Sequence, residues 1–478
     1  MTTTTFECRR PGALRLRTLG LATLPLVLAG CASLSGDGGF KPVQQAAEQH
    51  LGKTVQLVKS EADQDAVGVR VNELLSQPLS ADAAVQIALL NNRGLQASFQ
   101  ELGIAEAELV QTSRLPNPGF SIAKLRRGDE REIERSFSFD LGHLIALPLT
   151  RQMETRRFAA VQRAVSLEML SLAAESRKAF YVAVAAEQTA RYMRDVRGTA
   201  DAGAELAKRL AQAGNWTKLQ QAREHGFFSE AVLNAARAEV ARISTRERLT
   251  RLLGLWGQQT NFTLPDRLPD LPKEPQDRPD VEQQAIAQRL DIQAAKQQTE
   301  AMAKSLGLSK ITRFVNVLDF SYRRNGSNEL PRQTGYEVSF EIPIFDWGDA
   351  RVAKAEAIYM QSVQRAAQVA VEARSEVREA YLGYRSSYDI ARHYRDDVAP
   401  TAKRISDENV LRYNGMFISV FELLADARSQ ISAVNASIEA LRDFWVAQAD
   451  LDMALIGKPS LSGGTAPTTA TGSAGPAH

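Results

Sequence analysis

The chain has 478 residues, 44% of them hydrophobic and 24% charged, with two cysteines and a net charge of +2 at pH 7. That length allows two or three ordinary domains, and the near-neutral charge leaves no electrostatic footprint for nucleic acid. The histidines His50, His143, His225, His393 and His478 are scattered without a second ligand at zinc spacing, and neither a Walker A sequence nor a Gly-rich dinucleotide loop occurs, so no enzyme, cofactor or metal site is expected.

Residues 1–30 read as a lipoprotein signal peptide. Arg9, Arg10, Arg15 and Arg17 form its charged end, and Leu19 to Leu28 is an apolar run too short to span a bilayer. Leu28-Ala29-Gly30-Cys31 looks like a bacterial lipobox, which makes Cys31 the lipidated first residue of the mature chain. A covalent lipid there is the one non-protein group expected. Cys8 lies in the removed segment, so no disulfide is available. Ala32, rather than Asp, follows Cys31; in the lipoproteins this resembles, that implies sorting to the outer membrane.

Residues 31–78 read as an extended segment with a short helix near Val43–His50. A first structural repeat, 79–256, opens with a helix from the N-cap Ser80 to about Arg114. Leu115-Pro116-Asn117-Pro118-Gly119 breaks it. A β-hairpin follows, with a charged turn at 126–131 and clean alternation through Ser136-Phe137-Ser138-Phe139-Asp140-Leu141. Its arms of roughly ten residues match a tilted membrane strand. A very long helix then runs from Leu147-Pro148-Leu149 to Ala213. It turns at Gly214-Asn215-Trp216-Thr217 and returns to about Leu255. Residues 257–278 form a proline-rich linker.

The second repeat, 279–456, keeps the same order. A helix over Val281–Leu306 precedes strands at Val315–Arg323 and Tyr336–Ile342. A long helix from about Asp349 to Tyr413 carries a seam of Val377, Tyr381, Tyr384, Tyr388 and Ala391. The turn Tyr413-Asn414-Gly415-Met416 leads to a return helix ending near Ile456. Residues 457–478, rich in Gly, Ser, Thr, Ala and Pro, are expected to be disordered.

Short matches at offsets of 197, 201 and 202 residues, in one order, mark an internal repeat, with Gly214 aligned on Gly415. Four strands are too few to close a barrel, and an open sheet cannot sit in a bilayer, so strands must be pooled between chains. Phe137, Phe139, Leu141, Tyr336, Val338, Phe340 and Ile342 are expected to face lipid. Ser136, Ser138, Asp140, Glu337, Ser339 and Glu341 are expected to face a watery lumen. The long helices are expected to bend at Gly198 and Pro400.

The repeat resembles the TolC-like outer-membrane efflux proteins over about residues 79–456. The matching motifs include Leu79-Ser80, Leu115-Pro116-Asn117-Pro118, Arg278-Pro279-Asp280, Ile342-Pro343-Ile344-Phe345-Asp346-Trp347-Gly348 and Tyr413-Asn414-Gly415 with Glu422-Leu423-Leu424. The resemblance implies a mainly α fold with a small β part, duplicated as helix, β-hairpin and long antiparallel helical hairpin. It implies a homotrimer with a twelve-stranded β-barrel in the outer membrane of a Gram-negative bacterium and a twelve-helix α-barrel in the periplasm. Such a trimer is the passive exit duct of a tripartite pump. Its partners are outer-membrane lipid, a periplasmic adaptor and an inner-membrane transporter of the RND type. The turns Gly214-Asn215-Trp216-Thr217 and Tyr413-Asn414-Gly415-Met416 would be adaptor-docking tips, since Trp216, Met416 and Phe417 are apolar at a wet end. Glu422 and Asp426, spaced i, i+4, would form an acidic ring at the mouth. The alternatives are a type I secretion duct, a periplasmic adaptor and a soluble coiled-coil lipoprotein. The sequence 413–427 hints at a metal-exporting branch.

Overall fold

The computed structural model describes residues 33–312, 318–342 and 344–459. Signal peptide, Cys31, Pro343 and nearly all of the tail lie outside them. The chain forms two compact units. Among the described residues, one holds 33–39, Leu102–Ala159 and Gln297–Val363; the other holds Phe40–Glu101, Ala160–Lys296 and 364–459.

In chain order the elements are α1 (Lys41–Leu51), α2 (Glu61–Leu75), α3 (Ala81–Asn91), α4 (Arg93–Thr112), β1 (Gly119–Arg127), β2 (Glu130–Asp140), α5 (Leu141–Gln212) and α6 (Lys218–Leu253). After the linker come α7 (Val281–Gln288), α8 (Leu290–Ile311), β3 (Leu318–Ser327), β4 (Gln333–Phe340) and α9 (Asp349–His393). A π-turn at Tyr394–Val398 separates α9 from α10 (Ala399–Asn414), and α11 (Val420–Ala454) follows.

The short helix expected near Val43–His50 is α1, and the rest of that segment, expected to be extended, contains α2. Ser60 and Asp63 close a capping box at the start of α2. Only Val67 and Val71 of this helix are buried, so its period is weak in the sequence. The single helix expected over 80–114 is two helices. Asn92 breaks it with an extended ψ of 117° and caps α4 through the Leu95 N–H. Its amide donates to the Leu252 carbonyl at the end of α6, at 2.9 Å.

The second repeat copies the device with a different residue. Arg289 breaks the helix, and its guanidinium donates to the Ala454 carbonyl at the end of α11, at 3.1 Å. Offsets of 197 and 202 residues relate the two donors and the two acceptors, so the duplication is structural as well as textual. α7 is tied to α9 by Glu282, whose carboxyl is held down to about 2 by its hydrogen bonds to Arg378 and then Arg374.

The core lies in the second unit. One cluster gathers Leu79, Ile87, Phe180, Val184, Leu249, Leu253 and Phe262; another gathers Val281, Val377, Tyr384, Tyr388, Phe444 and Leu451. The tyrosines of the expected seam also hold the linker. Tyr381 donates to Asp277, Tyr384 accepts from the Gln276 N–H, and Tyr388 donates to the Lys273 carbonyl at 2.6 Å. A proline-rich linker cannot satisfy its backbone in a ladder; Tyr388 bonds two of its carbonyls, those of Pro272 and Lys273, and Tyr384 one of its N–H groups instead.

The four strands form one antiparallel sheet in the order β1-β2-β3-β4. The first hairpin turn is tighter than expected: β1 and β2 meet at Gly128-Asp129, with Gly128 at φ +63°. Asn328 fastens the second hairpin beside it, accepting from the Arg131 N–H at 2.6 Å and donating to the Asp129 carbonyl at 3.0 Å.

Candidate functional site

Three places carry the residues singled out by sequence: the sheet, the two helical turns, and the interrupted helix before Pro400.

In the sheet, register sorts side chains by face. Phe120, Phe137, Tyr322 and Tyr336 lie directly across from one another, strand to strand. The next row is Phe139, Phe320 and Val338, and the last is Leu318 with Phe340. Phe120 packs on Phe137 and Tyr322 on Tyr336, each at 5.5 Å between ring centroids. Phe120, Ile122, Phe137, Phe139, Tyr336, Val338 and Phe340 are exposed to the surroundings, and among the described residues no hydrophobic side chain of the sheet is buried. The opposite face is polar. Ser121 and Ser136 share a hydrogen bond of 2.8 Å, Arg323 pairs with Glu337, and Asp140 lies opposite Asp319. The period-two reading of 136–140 and 336–340 thus matches the two faces. Leu141 and Ile342 fall outside it: the first opens α5, and the second lies beyond the end of β4. An exposed apolar face this broad is stable only against lipid or a partner. The outer strands β1 and β4 have unpaired edges, as pooling between chains requires.

The two helical turns are closed alike. The Asn215 N–H donates to the Leu210 carbonyl and the Phe417 N–H to the Arg412 carbonyl, both at 2.9 Å. These are the six-residue bonds of a Schellman motif. The residue that must be left-handed is Gly214 in the first turn, at φ +79°, and Met416 in the second, at φ +61°. The alignment of Gly214 on Gly415 is therefore one residue out. Gly415 is right-handed, at φ −80°, and a Cβ there would come 2.8 Å from the Phe417 ring. The same shift pairs Thr217 with Ser419 and Gln220 with Glu422. Thr217 with Gln220, and Ser419 with Glu422, each close a capping box.

Met416 is 93% exposed and Phe417 84% exposed, whereas Trp216 is half-buried, contrary to expectation. A left-handed methionine costs about 1–2 kcal/mol, and no packing within the chain offsets it. Met416→Gly is accordingly expected to stabilise the turn by up to about 1 kcal/mol, and Gly214→Ala at the equivalent place to destabilise it by about as much. Amide hydrogen exchange at 414–419 and 212–217 would report opposite signs; equal signs would refute the equivalence.

Glu422 sits at the third helical position of α11, where its carboxylate accepts from the Ser419 N–H at 3.1 Å. Asp426, one turn on, accepts from the Asn409 side chain across the hairpin. The counterpart of Asp426 in the first repeat is Glu224, which is 3% exposed and pairs with Arg428 at 3.2 Å. Sequence reading missed this pair, because a Glu and an Arg on separate helices carry no spacing signal. Arg428 also lies over the Phe227 ring and lines a groove of about 550 Å³ between α5, α6 and α11.

At Pro400 the helix widens. The Ala399 N–H reaches back to the Tyr394 carbonyl, and α10 begins at Ala399 with Pro400 in its first turn. Proline has no N–H and its ring crowds the carbonyl four residues back, which the π-turn relieves. Gly198, at the equivalent place, lies inside the uninterrupted α5. Among the described residues no group of three or more His, Cys, Asp or Glu could hold a metal ion.

No protein-family model matches the chain. It is 24% identical over 278 residues to the cobalt-zinc-cadmium resistance protein CzcC of Cupriavidus metallidurans. That match covers 56% of this chain and 64% of the relative, so the chain spans less than two thirds of its length. Among solved structures, CusC, described for its transmembrane channel formation, superposes with a TM-score of 0.65 at 18% identity, over 79% of this chain and 92% of that one. A membrane protein from Pseudomonas aeruginosa gives 0.68 at 20%, over 78% and 92%. The Campylobacter jejuni CmeC outer membrane channel gives 0.67 at 16%, over 86% and 91%.

Proposed function

We propose, for a chain that has the fold of the outer-membrane efflux channels, that it is itself the outer-membrane exit duct of a tripartite efflux pump. The observation that carries this reading is the sheet: four strands with open edges, one broad apolar face and one polar face. Three copies would join edge to edge into twelve strands, with the apolar face on lipid and the polar face on a water-filled lumen. The long helices α5, α6 and α9 to α11 would supply twelve helices to the periplasmic wall. Conduction is passive, and the driving force comes from an inner-membrane transporter of the RND type through a periplasmic adaptor.

Cys31 would carry the lipid. Among the described residues the Ser35 N–H donates to the buried Glu106 at 2.8 Å, in the same unit as the sheet. The turns at 214–217 and 413–417 dock the adaptor, with Met416 and Phe417 making the apolar contact. A bend at Pro400 would narrow the mouth. The similarity to CzcC favours divalent metal cations as cargo.

The test is fractionation with acyl labelling. The protein is expected with outer membranes, as a detergent-stable trimer that opens pores in planar bilayers, and Cys31→Ser should abolish labelling. A soluble periplasmic monomer would overturn the reading. A deletion strain should lose tolerance to cobalt, zinc or cadmium; unchanged tolerance to all three would remove the cargo assignment alone.

Glu422 and Asp426, repeated threefold, would favour cations at the mouth. Glu422→Gln is informative, because Gln220 caps the equivalent helix and the capping box should survive. Reduced cation selectivity in that variant would come from the charge; unchanged selectivity would leave Glu422 as a cap.

A further inference from the structure

The sheet separates its charges by face as sharply as its apolar residues. On the face that carries Phe137 and Tyr336, the strands continue toward the hairpin turns with Lys124, Arg126, Arg131, Arg135 and Arg324, and no strand position there is acidic. The other face carries Glu130, Glu132, Glu134, Asp140, Asp319 and Glu337 against only Arg127 and Arg323. All five cations of the first face are exposed, and among the described residues none forms an ion pair. Arg126 reaches only the Gly128 carbonyl of its own turn.

Register also places like charges in direct opposition. Arg126 lies across from Arg131, and Arg135 across from Arg324. Like charges directly opposite destabilise a strand pair. Carboxylates that would relieve them stand one residue away, on the wrong face. The belt begins at the row next to Tyr322 and Tyr336 and ends at the turn Gly128-Asp129. The other ends of the strands lead into the helices. The belt therefore borders the apolar rows on the side away from the helices.

We propose that this belt binds the phosphates of lipid headgroups in the leaflet nearest the hairpin turns, and that its ligand is a lipid bearing two phosphates. The inference rests on the reading of the apolar face as lipid-facing. Aromatic residues mark headgroup level in membrane barrels, and the cations start one row beyond them. Arginine's planar fork suits phosphate oxygens, and four of the five are arginine. The two arginine pairs are four residues apart along β2, about 13 Å, so a headgroup with two separated phosphates can neutralise both.

The experiment uses the full-length trimer in neutral detergent, titrated with bisphosphorylated lipid A and followed by native mass spectrometry. Binding is expected to weaken at least tenfold in a variant carrying R126Q, R131Q, R135Q and R324Q, and to be unchanged in Arg323→Gln on the opposite face. Dephosphorylated lipid should bind both proteins alike, and inorganic phosphate at equal concentration should not displace lipid A. Equal affinity in wild type and the fourfold variant overturns the proposal. Displacement by inorganic phosphate also overturns it, by showing a general anion site. If the chain never reaches the outer membrane, the lipid-facing reading fails and the belt falls with it. If it does and forms trimers, a negative titration removes the belt alone.

Discussion

Arg289→Ala is expected to cost about 3–5 kcal/mol, the usual penalty for breaking an ion pair whose cation is buried. Arg289 is 1% exposed, and its guanidinium meets Asp291 at 2.6 Å, Glu376 at 2.7 Å and the Ala454 carbonyl at 3.1 Å. Burial alone would lower its pKa; the hydrogen bonds to Asp291 and Glu376 outweigh that and raise it, so the side chain stays charged. Removing it leaves Asp291 without its cation and Glu376 with only Lys458 at 3.9 Å, and frees the end of α11. The readouts are trypsin resistance and the amount of folded protein in membranes. Arg289→Lys should fall between, because it keeps the charge but loses the fork. R289M combined with D291N and E376Q should recover part of the loss, since no lone charge remains. A single Ala variant as resistant as wild type would refute the account.

Val338→Arg is expected to cost up to about 2–4 kcal/mol per chain, the midplane penalty for arginine on the lipid face, which falls toward headgroup level. Val338 lies in the row with Phe139 and Phe320, between the tyrosine row and the Leu318–Phe340 row. That makes it more central than Phe340, which ends β4. Ser339→Arg, one residue on, points to the polar face and should assemble normally. Heat-resistant trimer on a gel is the measurement. Equal tolerance at 338 and 339 would mean that lipid does not cover the apolar face.

Much of this architecture is legible in the sequence because it depends on period and on turn residues. Alternation at 136–140 and 336–340 gives the faces, and Pro and Gly mark the linker and the first helical turn. The parts that were not legible depend on tertiary partners. Asn92 and Arg289 look like ordinary exposed positions of a long helix; only the carbonyls of Leu252 and Ala454 make them breaks. The tyrosine seam has helical period, but its hydroxyl partners lie in a linker with no period at all. The slip at Gly415 has a different cause. Glycine is the expected left-handed residue, and the chain instead places Met416 there, against local preference.

The pairing of β2 with β3 has a kinetic consequence. Each hairpin is local: Arg127 pairs with Glu130. Asp140, by contrast, pairs with Asp319, and Glu132 with Ser327, across most of two hundred residues. Closing a loop of that length costs about 4–5 kcal/mol before the first ladder bond repays any of it. Such high contact order makes this junction late and slow, while helices and single hairpins form within microseconds. During that interval the chain exposes four open strand edges rather than two, each a template for misassociation. The topology thus obliges the compartment in which the chain matures to keep two separate hairpins soluble until they meet.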